Sequence, residues 1–379
     1  MSVWDDLVGQ EPVVEQLSSA AAGTGGPAHA WLFTGPPGAG RSAAARAFAA
    51  ALQCEQTPRG CGHCASCHQI FQGTHADVEV IRPQGLSYGV KEARALVLRA
   101  ASAPTGGRWQ IVLFEDADRA TEGAANALLK AIEEPPARTV WLLCTPSPDD
   151  LLVTIRSRCR LVTLRTPPID AVADVLALRD GVDRETADVV ARAAQGHISR
   201  ARRLATDAQA RRRRAEVLAV PRRLTSVGPA VAAAESLVAA AKAEAKAQTE
   251  ELNGTETSAL RQALGESAKG RMPRGTAGAL KELEARQKSR ATRLERDSLD
   301  RTLLDLASYY RDVLTIQLGA GTELVNVDLG PELRTAARNG RPEDTLRRLD
   351  AIMACRERLA ANVNPLLAVE ALTLALRTG

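Results

Sequence analysis

Aromatic side chains are scarce: tryptophan, tyrosine and phenylalanine make up 3% of the 379 residues. Alanine and arginine are abundant instead, and both are good helix formers, so the composition leans toward helices. Long apolar runs are lacking too. No stretch reaches the roughly 20 residues of a membrane span, so no membrane association is expected. The acidic start, MSVWDDLVGQ, has no signal-peptide core, and the chain reads as cytoplasmic. Nor does one sign of charge dominate. The 49 Lys and Arg against 45 Asp and Glu leave +4, which permits contact with nucleic acid without demanding it. The cysteines do not pair off: there are seven, and an odd count in a cytosolic chain argues against a disulfide framework.

What is present is a change of pattern along the chain. AWLFTG, DVEVI, WQIVLFED, TVWLLCT and CRLVTLR read as strands. Between them, SAAARAFAAAL, VKEARALVLRAAS and ATEGAANALLKAIEE read as helices, the last stopped by Pro135 and Pro136. This alternation predicts an α/β domain over 1–165, a parallel sheet with helices on both faces. From Ile169 the strand signals stop. Residues 166–206 read as a small helical unit and 207–379 as a helical bundle, apolar at three-to-four spacing. Within it, AAAKAEAKAQTEEL has little apolar face, and NGTETSALRQALGESAKGRMPRGTAG carries several glycines and a proline. An exposed, mobile insertion is therefore expected over about 240–295.

Four clusters carry chemistry. GPPGAGRS, Gly35 to Ser42, fits the phosphate-cradling pattern G-x-x-x-x-G-K-[ST] except that Arg41 stands where Lys belongs. It follows a strand and opens a helix, so backbone N–H groups and the helix N-terminus would face a phosphate. Gly35, Pro36, Gly38, Ala39, Gly40, Arg41 and Ser42 are its candidate residues, with Ser42 a candidate Mg²⁺ ligand. Arg41 keeps the charge but has a bulkier, planar fork, so ATP or ADP binding survives more readily than hydrolysis. The alternative is a glycine-rich turn with no ligand. A working loop of this kind also has a strand ending in Asp then Glu; here the order is reversed, Glu115–Asp116. Neighbouring strand residues face opposite sides, so the reversal displaces both roles. Alone, the pair would read as solvated strand-end acids.

CEQTPRGCGHCASC holds Cys54, Cys61, Cys64 and Cys67 at spacing C-x6-C-x2-C-x2-C. Four thiolates can enclose one Zn²⁺ with no open position, so the expected metal is structural. His63 and His68 are substitute ligands, but four cysteines suffice. TIRSRCRL places Arg158 before a strand, where it could reach a nucleotide on a neighbouring subunit, although surface arginines are common in this chain. The run Arg211–Arg214 could touch DNA phosphate, but is read as a solvated helix face.

WDDLVGQEPVVEQL, HAWLFTGPPGAGRS, the four-cysteine module, NALLKAIEEPP and SRC occur in one order, and together they resemble the AAA+ subunits of the bacterial DNA polymerase III clamp loader, the delta-prime branch above all. The likeness is specific to about residue 205 and general beyond it. It implies an AAA+ P-loop domain with an inserted zinc module at 54–67, a helical lid at 166–206 and an oligomerising collar at 207–379. It further implies membership of a five-subunit ring with gamma/tau and delta, which opens the sliding clamp and places it on primed DNA. In that setting Arg158 completes the ATP site of the adjacent subunit. Val8 and Gly9 map to the adenine-lining segment, and Thr145 to a polar sensor position. The sensor arginine expected three residues after Gly196 falls on Ser199, with Arg200 adjacent.

Arg41, the reversed acids and Ser199 point together to a non-hydrolysing subunit, a stator acting in trans. A gamma/tau-like ATPase is the alternative; such chains are expected to continue into further domains. A zinc-dependent DNA-binding module ranks last, since the cysteine segment holds one positive charge, Arg59.

Overall fold

The computed structural model describes residues 2–23, 26–265 and 276–378. They fall into two compact units, one of residues up to Ala205 without Gln84–Leu86, the other of Gln84–Leu86 with Thr206 onward.

The first unit is built on five parallel strands, β1 (Ala30–Thr34), β2 (Val78–Ile81), β3 (Gln110–Phe114), β4 (Thr139–Thr145) and β5 (Arg160–Thr163), in the order β2-β3-β4-β1-β5. Burial follows position in the sheet. Every residue of β1, β3 and β4 is buried, whereas the edge strand β5 buries one in four. Central strands covered on both faces read as unbroken apolar runs, which is why these three were legible in the sequence. The few aromatic residues are concentrated here: Trp31, Trp141, Phe33, Phe48 and Phe114 are fully buried. Each such ring removes about 150–250 Å² from water, roughly 4–6 kcal/mol of gross burial before ordering entropy.

The strand C-termini come level with one another. Thr34 pairs with Thr145, and Phe114 with Leu143, so the segments after β1, β3 and β4 emerge at one edge. In open parallel sheets, ligands bind in this position. Helices Ile169–Leu178 and Arg184–Ala193 pack on each other and belong to the same unit. The sheet order, its parallel sense and the covering helices make this an AAA+-type α/β fold.

The second unit is helical. Helix Val227–Ala263 packs along helix Ala277–Gln317. Ala230, Ala234, Ala241 and Ala245 form a small-residue stripe on the first, and Leu299, Leu303, Leu306, Tyr310 and Val313 line the second. Alanines at four-residue spacing let the helix backbones approach closely. The insertion expected over about 240–295 is helical where it is described: helix runs to Ala263 and restarts at Ala277, while 266–275 lies outside the described residues. Nor is the preceding Ala/Lys/Glu run free of its neighbours, since Ala241, Ala245 and Thr249 are buried. Polar pairing explains the difference. Arg290 reaches Glu256 at 2.5 Å and Asn253 at 2.7 Å, and Gln287 donates to the Asn253 carbonyl at 3.1 Å. These contacts offset Gly254 within the helix, which costs about 1 kcal/mol relative to alanine. The arginine run is a solvated face at Arg211 and Arg212, which are exposed, but not at its last member. Arg214 turns inward, pairing with Asp305 at 3.1 Å and with Asn326 Oδ1.

Candidate functional site

A cavity of about 330 Å³ opens beside the glycine loop. Gly38, Ala39, Gly40, Arg41 and Ser42 form one side, Asp6, Leu7, Val8 and Gln10 a second, and Pro167, His197, Ser199 and Arg202 a third. The loop needs its glycines. Gly38 and Gly40 have φ of +90° and +89°, a region that favours glycine. A Cβ on Gly38 would stand 2.7 Å from His197, so the helical segment closes directly onto the loop. Gly40 caps helix Arg41–Gln53, whose first-turn N–H groups lack intrahelical partners. An anion placed there gains donors and the helix's partial positive charge. These features fit a phosphate-bearing ligand.

The catalytic groups are disposed otherwise. The Arg41 guanidinium folds back and donates to the Gly35 carbonyl at 2.5 Å. Glu115 is clamped between two arginines, Arg46 at 2.5 Å and Arg82 at 2.8 Å, with 12% of its side chain exposed. Asp116 leaves the strand in a left-handed conformation, φ 52° and ψ 51°. Thr145 is fully buried and its hydroxyl donates to the Ser147 carbonyl at 3.0 Å. Burial pushes the neighbouring Cys144 thiol well up, aided by the negative charge of Glu115. Glu115, Asp116 and Thr145 are not among the residues that line the cavity, nor are Gly9, Gly35 and Pro36. Gly9 serves the turn into the first helix: its φ is +68°, and a Cβ there would meet Pro168 Cδ at 2.7 Å.

Arg158 sits apart, on the surface. Its Nη1 donates to the Thr154 carbonyl at 2.9 Å, and its Nη2 to Glu133 at 2.6 Å. About a third of the side chain, 35%, remains exposed. Helix Glu122–Glu133 presents Glu133 and is itself capped by the Thr121 hydroxyl, which accepts from the Ala124 N–H at 3.2 Å. The guanidinium is thus supported from two elements of its own chain.

The four cysteines converge. Cys54 caps the C-terminus of helix Arg41–Gln53, Cys64 precedes helix Ala65–Gln72, and Cys67 lies in its first turn. Their Sγ atoms all lie within 4.8 Å of one another. Cys54 and Cys64 are 3.9 Å apart, and the Cys64 N–H donates to Cys61 Sγ at 3.3 Å. A tetrahedral site with metal–sulfur bonds of about 2.3 Å has edges of about 3.8 Å, so the cluster fits one metal ion. Burial pushes the Cys54 thiol up, but backbone N–H donors of Cys61, Gln56 and Gly60 outweigh it and bring it to about 7. Burial pushes Cys67 far up. His63 faces the Cys61 carbonyl at 2.9 Å, and neither it nor His68 belongs to the sulfur cluster.

Sequence reading missed His197 and Arg202. Ser199 does line the cavity, but Arg200, its adjacent substitute, does not. Arg202 does, held by Asp180 at 2.7 Å. Counting one helical turn on from Ser199 would have found it.

Comparison with known proteins follows the same division. A family model described as DNA polymerase III, delta subunit, matches residues 9–168. Another, described as DNA polymerase III, delta subunit, C terminal, matches residues 283–378. The chain is similar to DNA polymerase III subunit delta' of Escherichia coli, 40% identical over 163 residues, 41% of this chain and 48% of that protein. It is also similar to DNA polymerase III subunit gamma/tau of Mycobacterium tuberculosis, 36% identical over 175 residues, 45% of this chain and 30% of that one. The chain spans under half the length of these curated relatives. A solved gamma subunit-related protein from Thermotoga maritima aligns over 97% of this chain and 98% of its own at 15% identity, with a TM-score of 0.41.

Proposed function

The chain belongs to the DNA polymerase III clamp-loader subunit family, and from that premise we propose that it is the delta-prime member, a subunit that does not itself hydrolyse ATP. In this reading it joins gamma/tau and delta in a five-subunit ring, helps place the sliding clamp on primed DNA in the cytoplasm, and lends Arg158 to its neighbour's ATP. The observation that carries it is the contrast in ionic partners: Glu115 is clamped by two guanidinium groups, while Arg158 lies at the surface on one carboxylate. A carboxylate paired in this way is a poor acceptor for a water proton, and Arg41, turned onto its own loop, is withdrawn from an outer phosphate. The glycine loop then holds a nucleotide without cleaving it.

The gamma/tau-like reading is supported by the 36% identity to gamma/tau proteins over the same stretch. One experiment decides between them. ATP hydrolysis is measured for the purified chain alone, then for the reconstituted ring with wild type or Arg158→Ala. Robust turnover by the chain alone sinks the non-hydrolysing reading; an unchanged ring rate in the variant sinks the arginine's role in trans.

The cysteine cluster is assigned to structural Zn²⁺, since four thiolates leave no open position. Metal analysis is expected to give one zinc per chain, lost when Cys64 and Cys67 become Ser. A metal-free wild type refutes this.

A further inference from the structure

The cysteine cluster and the glycine-loop cavity are joined by residues 2–10, and we propose that the cluster anchors this segment and so fixes one wall of the cavity. The linkage stands on geometry; its consequence for ligand binding rests on reading the cavity as a nucleotide site.

At the cluster end, Gly60 immediately precedes Cys61. Its carbonyl accepts from the Val3 N–H at 3.0 Å and from Ser2 Oγ at 3.2 Å. Gly60 has φ +85°, and a Cβ there would stand 2.7 Å from Val3 Cγ2 and 3.1 Å from Trp4 Nε1. The segment and the cysteine loop therefore touch with no room for a methyl group. Val3 and Leu7 are buried in the same core as Cys54 and Cys67.

The intervening residues are not slack. Asp5 N–H donates to the Ser2 carbonyl at 3.2 Å, Leu7 N–H to Trp4 at 2.9 Å and Gln10 N–H to Leu7 at 3.3 Å. Successive three-residue turns leave few free torsions, so a displacement at one end is carried to the other. At the far end Asp6, Leu7, Val8 and Gln10 line the cavity. Gln10, 3% exposed, fixes that end by donating to the Arg165 carbonyl at 2.5 Å and accepting its N–H at 3.2 Å. A second connection runs through helix Arg41–Gln53, which begins at the glycine loop and is capped by Cys54. The cluster thus holds two of the cavity's sides. A short wall segment is only as ordered as its anchors, and losing one raises its local opening.

Gly60→Ala keeps all four thiols but strains the loop whose Gly60 N–H serves Cys54, so the variant that separates the linkage from metal holding is Val3→Ala. Val3→Ala removes the facing Cγ atoms and leaves the cysteine loop unaltered. Both are compared with wild type and with chelator-treated wild type by amide hydrogen exchange and metal content. The expected result is faster exchange at residues 5–10, by about tenfold or more, in all three altered samples, with β1, β3 and β4 unchanged and metal retained in Val3→Ala. Wild-type exchange at residues 5–10 after chelation and in both variants overturns the proposal. Binding of a fluorescent ADP analogue is measured on the same samples. If wild type binds it, the variants are expected to bind about tenfold more weakly. If wild type does not, the nucleotide reading of the cavity fails, while the exchange data still decide the linkage.

Discussion

The glycine loop and the Ser157–Cys159 turn each carry an arginine on the same α/β unit, and the two side chains do opposite things. Arg41 spends its donors on the carbonyl of Gly35, six residues back. Arg158 is propped from behind by Thr154 and Glu133 and keeps part of its fork exposed. The residue type is identical; the nearest acceptors decide the outcome. A glycine loop crowds backbone carbonyls around its own helix start, whereas Arg158 meets one carbonyl of the short helix before it and one exposed carboxylate from helix Glu122–Glu133. The same contrast holds for the acids. Among the described residues Glu115 meets two arginines and Glu133 one, so the first is locked and the second acts as a support.

The largest effect is expected where the comparison bears on function. Arg158→Ala in the reconstituted ring is predicted to lower ATP turnover by about 10³-fold or more, the range for an arginine donated to a phosphoryl-transfer site. Arg158→Lys is expected to recover little, because Lys lacks the planar fork. Steady-state hydrolysis checks both. A loss below about tenfold would place Arg158 on a par with an ordinary surface residue.

Next comes the Glu115 clamp. Replacing Arg46 and Arg82 by Ala leaves a mostly buried carboxylate without ion pairs. The predicted loss is about 2 kcal/mol, less than the 3–5 kcal/mol for a fully buried pair because the arginines are partly exposed. Denaturant unfolding measures it. Arg41→Lys alone is expected to leave hydrolysis undetected, since Glu115 remains engaged; turnover in that variant would make Arg41 the sole lesion and break the contrast drawn above.

The central strands were legible because burial on both faces makes them continuous apolar runs, and the cysteine cluster because four thiols at short spacing have few other uses. The Glu115 clamp was not legible. Arg46 and Arg82 lie 69 and 33 residues from Glu115, and no local pattern announces a pairing set by the sheet order. His197 escaped for the same reason, reaching Gly38 only through the packing of the helical segment. The long helical hairpin was misread because glycines and polar residues locally resemble a loop, while the clasp of Arg290 on Glu256 and Asn253 is formed by residues distant in sequence.

A smaller effect concerns the support of Arg158. Thr121→Ala removes the N-cap of the helix that ends at Glu133. The expected loss is about 1 kcal/mol, read by denaturant unfolding. A change in ring activity larger than this stability loss explains would mean that the helix orients Glu133, and through it Arg158.

The smallest effect is predicted for Glu133→Gln. The pair is 35% and 48% exposed, so its Coulomb attraction is screened and its contribution to stability is below about 1 kcal/mol. Two other contacts stay in place, the Thr154 carbonyl at 2.9 Å and Ser157 Oγ at 3.3 Å, and the amide oxygen of Gln still accepts from the guanidinium. Ring turnover is therefore expected to change by no more than a few-fold, and the direction is informative. If Glu133 merely props the fork, the variant slows the ring slightly as the side chain loses order. If Glu133 competes with the neighbour's phosphates for the guanidinium, the variant speeds it, because Arg158 is released to the stronger acceptor. A loss as large as that of Arg158→Ala would contradict both, and would move the functional group in trans from the arginine to the carboxylate beside it.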